Sequence, residues 1–198
     1  WNLLYFTGYL TAESKYSEES NIFVKVCIPN MEVKKAYQNT IRDRFMKNIR
    51  RQNFQNLYLS IEEGRVEKIE EILREQLVMT SRFYDSAEYF YHCFLAEILR
   101  RSEKYLVEPN REFENGCSVL MLKTTSLRGR AFIIVIKISD SIDELETDAK
   151  SAVKQIYERN YMDNLRAEGY RRIDCYGISF CGKDCAVCYG GSGKTEDD

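Results

Sequence analysis

The sequence has one histidine, a small net charge and no long apolar run, and each of these shortages excludes a class of protein. A net charge of -2 gives no overall attraction to nucleic acid or to an anionic membrane, so a nucleic-acid contact must use local basic patches. Because no apolar stretch reaches transmembrane length, no membrane contact is expected. His92 is the single histidine, and the sequence defines no serine or cysteine partner that would make it part of a nucleophilic triad.

We also expect no export signal. Residues 1–10 are apolar and aromatic but have no basic region before them, which is not the pattern of a signal peptide. The sequence begins with Trp1, and we expect it to be a fragment of a longer, cytoplasmic protein. The cysteine count of 7 is odd and the spacing irregular, which favours reduced thiols over a disulfide framework. Cys181, Cys185 and Cys188 cluster without forming two Cys-x-x-Cys pairs, so we predict that they bind no zinc.

The strongest structural signal is the apolar run at residues 131–138, which is typical of a strand buried on both faces. Strand alternation places Ile133, Val135 and Lys137 on one face of it. A lone ammonium group in a central strand costs free energy unless something compensates it. Lys137 therefore either reaches water at the strand end or points into a site that handles anionic groups.

The segments around this strand predict an α/β (α+β) fold with a mixed central sheet flanked by helices. A helix is expected over residues 87–101 with Ser86 as its N-cap, and a turn at residues 128–130 joins two antiparallel strands. A long helix over residues 140–169, with Ile142 and Tyr157 on its apolar side, is long enough for a crossover that keeps its flanking strands parallel. The expected strands are residues 105–107, 118–123, 131–138, 175–181 and 185–189.

The first part of the chain predicts a mainly helical subdomain over residues 1–80, followed by a sheet-containing domain over residues 81–191 and a flexible tail over residues 192–198. Within the subdomain we expect a polar loop at residues 12–20 and a strand at residues 22–28. Helical spacing extends over residues 31–51 and 53–79, with a break at Gly64.

The segment at residues 190–195 resembles the end of a phosphate-binding loop. Cys188 occupies the place of the leading glycine, and no helix follows that would supply an N-terminus. We therefore do not interpret this segment as a phosphate-binding loop.

A set of polar residues in a fixed order resembles a known family. Glu88 and His92 lie one helical turn apart, and the other members follow along the chain: Asn110, Arg111, Glu112, Lys137, Gln155 and Tyr161. Together with residues 1–11, 28–33, 89–92, 155–157 and 176–183, this layout resembles the PD-(D/E)XK nuclease-like domain found at the C-terminal end of AAA-ATPase-like bacterial proteins. The resemblance implies a restriction-endonuclease-like core, a covalently adjacent ATPase domain before Trp1 and nucleic acid as a partner.

The resemblance also implies a metal site, from which this sequence departs. In that superfamily a helix glutamate, a second-strand aspartate and a third-strand Glu-x-Lys hold a divalent metal beside the scissile phosphate. Glu88 and Lys137 match the glutamate and the lysine, whereas the aspartate position falls on or near Ser118 and the third-strand acid on Val135. Because magnesium requires hard oxygen ligands, we expect a degenerate site with no resident cofactor and a role in nucleic-acid binding or interaction.

Two alternatives remain open from the sequence. Acids at Glu112, Glu114 or Asp140 could replace the missing ligands, which would leave an active phosphodiesterase that uses magnesium or manganese. Alternatively, the domain is a plain interaction module in which Lys137 is a remnant. For the degenerate site, we predict a contact between Glu88 and Lys137, because opposite charges offset part of each other's burial cost.

Overall fold

The computed structural model describes residues 2–18, 21–33, 35–36, 53–79, 88–110, 118–126 and 129–193. The chain separates into two compact units, Trp1–Asn48 and Ile49–Asp198. The boundary between these two units lies after Asn48, whereas the sequence predicts that the first domain ends at residue 80. The predicted domain boundary at residue 80 stays a prediction.

The first unit contains a β-hairpin where the sequence predicts a loop. Helix α1 (Asn2–Phe6) precedes strands β1 (Thr11–Glu18) and β2 (Asn21–Cys27), which pair antiparallel. The expected strand near residue 22 is confirmed, but the polar loop at residues 12–20 was wrong. The polar sequence of β1 still forms a strand because it pairs along its length with β2, including a stacked Tyr16–Phe23 pair 5.5 Å apart.

A helical segment follows this hairpin. Residues 31–33 and 35–36 are helical, and the Asn30 side-chain oxygen accepts a 2.9 Å hydrogen bond from the Val33 amide. Such a bond satisfies one of the free amide groups at a helix start. The rest of the helix expected over residues 31–51 lies outside the described residues.

The second unit begins with two helices that are separated as the sequence predicts. These are α2 (Gln55–Glu63) and α3 (Val66–Val78), and Gly64 between them has a left-handed φ of 72°. Glycine adopts this conformation without a steric cost, so the predicted break at Gly64 is confirmed. The next helix, α4 (Glu88–Arg100), confirms the predicted helix, although Ser86 lies outside the described residues.

Five strands form the mixed sheet that the sequence predicts. They are β3 (Tyr105–Asn110), β4 (Ser118–Thr124), β5 (Arg130–Ile138), β6 (Arg172–Cys181) and β7 (Asp184–Gly193), arranged in that order. Strands β5 and β6 are parallel, whereas the other neighbouring pairs are antiparallel. Strand β7 extends to Gly193, so residues 190–193 belong to the sheet rather than to a tail or a phosphate-binding loop.

The crossover from β5 to β6 consists of two helices instead of the one long helix predicted over residues 140–169. A 3₁₀ turn (Ile142–Glu144) leads into α5 (Leu145–Glu158), and α6 (Tyr161–Ala167) follows. Asn160 breaks the helix with a left-handed φ of 52°, a conformation that asparagine tolerates. Ile142 and Tyr157, expected on the apolar side, are exposed instead.

The sheet is covered on both faces, which explains why β5 is nearly all apolar. On one face, Ile133 and Val135 join a buried cluster with Ala152 and Ile156 of α5. On the other face, Tyr91 of α4 stacks on Phe180 of β6, with ring centroids 4.6 Å apart. Helices α2 and α4 therefore lie on one side of the sheet, and α5 and α6 lie on the other.

Candidate functional site

Lys137 lies near the end of β5 on the face that α5 covers. Strand alternation places its side chain with those of Ile133 and Val135, both of which are buried in the cluster under α5. The partly buried Lys137 ammonium donates a 2.8 Å hydrogen bond to the Ser151 hydroxyl of α5. The side chain is therefore held by the protein and does not simply extend into water.

Val119 and Val135 lie on the same face of the sheet as Lys137. They pair directly across β4 and β5, and both are 0% exposed. Side chains directly opposite in an antiparallel pair have Cβ atoms about 4.5–5.5 Å apart, close enough for carboxylates at both places to share one ion. Ser118 instead pairs with Ile136, so its side chain lies on the other face.

The structure therefore places Ser118, predicted at an acid position, on the face opposite Lys137, whereas the neighbouring Val119 lies on the same face as Lys137. A shift of one residue in strand register moves a side chain to the opposite face. Alternation along the strands does not by itself select Val119, because the register of β4 against β5 depends on the turn between them.

This arrangement does not fit a divalent metal ion. The valine side chains offer no oxygen, and magnesium is held by hard oxygen ligands. Among the described residues, no group of three or more His, Cys, Asp or Glu side chains is placed to hold a metal. The valine pair therefore supplies none of the oxygen ligands that the resemblance implies at these two positions.

Three polar residues of α5 are spaced to lie along one side of the helix near Lys137. Asp148, Ser151 and Gln155 are three and four residues apart, which is the spacing of neighbours on a helix surface. Asp148 accepts a 2.6 Å hydrogen bond from the hydroxyl of the buried Ser139, just past the end of β5. The predicted residue Gln155 thus belongs to the same helix as the Lys137 partner.

Among the other predicted site residues, only Tyr161 and His92 have described side chains. Tyr161 is buried in the same apolar cluster as Val135, whereas the buried His92 belongs to α4, on the opposite side of the sheet. Glu88 is the first residue of α4, and Asn110 is the last residue of β3. The side chains of both, and all of Arg111 and Glu112, lie outside the described residues. The Glu88–Lys137 contact stays a prediction.

A second polar cluster, which the sequence did not reveal, lies where β5 and β6 begin. Asp174 is fully buried, forms an ion pair with Arg130 and accepts a 2.6 Å hydrogen bond from the Tyr189 hydroxyl. Arg130 also donates to the backbone carbonyl of Glu62 in α2. The ion pair between Asp174 and Arg130 compensates the buried charges within the cluster. The hydrogen bond from Arg130 to the Glu62 carbonyl connects α2 to the sheet.

The Glu62 side chain extends this cluster to the surface. Its carboxylate accepts 2.7 Å hydrogen bonds from the Lys104 ammonium and the Tyr105 hydroxyl. Burial favours the neutral acid, but these hydrogen bonds and the nearby positive charges outweigh it and lower the pKa of Glu62. The carboxylate therefore stays ionised and holds the start of β3 against α2.

Two cysteines of the sheet are poor metal ligands at neutral pH. Burial raises the pKa of both Cys175 and Cys185 to about 12, so these thiols keep their protons. The thiolate, rather than the thiol, binds metal. Six of the cysteines lie in the described residues and are free, and the absence of zinc stays a prediction.

A helix, a three-stranded meander, a crossover and a fourth strand parallel to the third together define a restriction-endonuclease-like α/β core. The family model described as the PD-(D/E)XK nuclease superfamily matches residues 86–190, and the chain belongs to this superfamily. Neither a curated protein nor a solved structure matches the chain. In the part of the chain that the structure describes, no helix is long and apolar enough to cross a membrane.

Proposed function

We propose that this chain is a nuclease-fold module whose metal site is degenerate and that binds nucleic acid without cleaving it. The observation that supports this most directly is the buried Val119–Val135 pair, which occupies the places of two metal-ligating acids. Two apolar side chains there remove the ligands that would activate water and neutralise developing charge. Valine side chains are also favoured in a central strand, so the sheet can be retained although metal-dependent cleavage is lost.

The retained lysine favours nucleic acid over a plain protein partner. The Lys137 ammonium is partly buried, and its hydrogen-bond partner among the described residues is the neutral Ser151 hydroxyl. A positive charge kept in a sheet after the surrounding acids are lost costs free energy unless it binds an anion. The phosphates of nucleic acid supply such anions.

The wider context belongs to the same proposal. The resemblance of residues 1–11 and 28–33 supports an AAA-ATPase-like domain covalently joined ahead of this chain, in a cytoplasmic bacterial protein. In that arrangement the ATPase domain would be the covalently joined partner of this module.

Cleavage and binding assays on the unaltered chain test the proposal. Labelled single- and double-stranded DNA and RNA should remain intact with magnesium or manganese, while fluorescence anisotropy shows binding. Lys137→Ala should weaken that binding by about threefold to tenfold, because one phosphate contact is lost. Metal-dependent cleavage that Lys137→Ala abolishes would contradict the proposal.

The alternative is an active phosphodiesterase with migrated acids. One observation favours it: Asp148 places a carboxylate near the end of β5, within hydrogen-bond distance of Ser139. Of the acids expected from the sequence, Asp140 is exposed and Glu112 and Glu114 lie outside the described residues. Under this alternative, Asp148→Asn would abolish metal-dependent cleavage in the same assay. Absence of both cleavage and nucleic-acid binding would leave the plain interaction module.

A further inference from the structure

The hydroxyl of Ser151 makes a different hydrogen bond from that of Ser60, another serine within a helix. Serine within a helix commonly bonds back to the carbonyl four residues earlier. Ser60 of α2 does so, donating a 2.7 Å hydrogen bond to the Asn56 carbonyl. The Ser151 hydroxyl instead accepts a 2.8 Å hydrogen bond from Lys137, across the interface between helix and sheet. Ser151 therefore fixes the end of a long, flexible side chain.

The charge around the partly buried Lys137 also differs from that around the buried Lys123. The Lys123 ammonium lies between the carboxylates of Glu108 and Glu168, at 2.7 and 2.8 Å, so its charge is compensated. Among the described residues, the hydrogen-bond partner of Lys137 is the neutral Ser151, which does not offset the charge of the ammonium. On α5, the carboxylate of Asp148 accepts a hydrogen bond from the Ser139 hydroxyl.

We infer that Ser151 is a positioning residue that holds Lys137 as a metal-independent binding site for a phosphate group. An ammonium has three donors; Ser151 accepts one, and no other described residue accepts from the remaining two, which in this inference bind phosphate oxygens. With valines in place of the acids, the site attracts the anion directly and needs no bridging cation. This inference rests on the proposed function and specifies how the same site would contact the nucleic-acid backbone.

Side-chain NMR of the lysine ammonium and Cε groups tests the inference at constant ionic strength. The Lys137 signal is assigned with Lys137→Arg, and inorganic phosphate is titrated in the presence of EDTA. The Lys137 signal should shift with saturation, while the Lys123 signal, already bridged by two carboxylates, stays in place. Ser151→Ala should weaken phosphate binding by about tenfold, because the lost hydrogen bond involves a charged group.

Matched variants separate positioning from general stability. Ser151→Thr keeps the hydroxyl and should bind phosphate like the unaltered chain, and Ser60→Ala should leave binding unchanged. Ser151→Cys, which preserves the size of the side chain but has a weak acceptor, provides the test if the alanine variant does not fold. Unchanged phosphate affinity in both Ser151→Ala and Ser151→Cys would overturn the role of Ser151.

A second titration with a short oligonucleotide distinguishes this inference from the proposed function. If the oligonucleotide binds but neither ligand shifts Lys137, the inference is wrong and the proposed function stands. If phosphate shifts Lys137 but no oligonucleotide binds, the phosphate site stands and the proposed function fails. A shift that requires magnesium would also overturn the inference.

Discussion

At the scale of single residues, burial decides which charges have a structural role and which remain available to a ligand. Asp174 is fully buried and compensated by Arg130 and Tyr189. Lys137 is only partly buried and has a neutral partner in Ser151. The first arrangement stabilises the fold, whereas the second leaves a cation that can contact an anion.

Asp174→Asn should lower the free energy of unfolding by about 3 kcal/mol, because removing one partner of a buried ion pair leaves the Arg130 charge uncompensated. Chemical denaturation measures the change. Glu146→Gln is the control, since the exposed Glu146–Lys150 pair at 3.5 Å should contribute less than about 0.5 kcal/mol. Equal effects of the two substitutions would show that the Asp174 cluster does not stabilise the fold as described.

Individual residues also show how much of the candidate site could be predicted from the sequence. The type and order of the candidate residues Lys137 and Val135 could be read from the strand pattern. The choice between Ser118 and Val119 could not, because it depends on a register that the hairpin turn sets to within one residue. The Asp174 cluster could not be found either, since its members are far apart in sequence and meet only in the folded sheet.

At the scale of elements, strands with apolar runs were predicted well and polar or interrupted elements were not. Strand β5 was evident from its composition, and α2 and α3 from their periodicity and Gly64. Strand β1 has mostly polar residues and gains its structure from pairing with β2, which local composition does not report. The break at Asn160 was missed because the apolar spacing continues across it.

Gly177→Ala should be among the more damaging small substitutions, because α5 lies directly on the sheet at this point. A Cβ at Gly177 would collide with the Ala149 carbonyl oxygen and approach the Ala152 side chain to 2.9 Å. We expect a loss of about 2–3 kcal/mol, measured by denaturation, as α5 is pushed away from β6. Gly182→Asn is the control: nothing lies within 4 Å of a Cβ there, and asparagine tolerates its φ of 58°. A smaller loss for Gly177→Ala than for this control would contradict the packing described.

At the scale of the whole molecule, buried thiols and phenols make the free energy of unfolding depend on pH in the alkaline range. Burial raises the pKa of Cys175, Cys185 and Tyr58 to about 12. In the unfolded chain the two thiols lose their protons near the ordinary value of 9.0, whereas the folded chain keeps them. The folded state then binds more protons, so the free energy of unfolding falls as pH rises above this value.

We expect a fall of about 2–3 kcal/mol between about pH 8 and about pH 10 from the two thiols together. Denaturant titrations at a series of pH values measure it. A Cys175→Ala and Cys185→Ala double variant should show a shallower dependence over the same range. A free energy of unfolding that stays constant or rises over this range in the unaltered chain would contradict the account of the buried thiols.

The molecule as a whole combines the α/β core of a nuclease superfamily with a buried Val119–Val135 pair, and we propose that this pair stands where metal-binding acids would lie. Calorimetric titration with manganese tests this most directly, using the unaltered chain, Val119→Asp with Val135→Glu, and Ser118→Asp with Val135→Glu. Circular dichroism first confirms that each variant is folded, since buried carboxylates can destabilise the sheet. We predict that the unaltered chain does not bind manganese stoichiometrically and that the variant with Val119→Asp and Val135→Glu binds one manganese ion. The variant with Ser118→Asp and Val135→Glu should bind none, because the new aspartate lies on the face of the sheet opposite Lys137. Stoichiometric manganese binding by the unaltered chain, or equal binding by the two variants, would contradict the account.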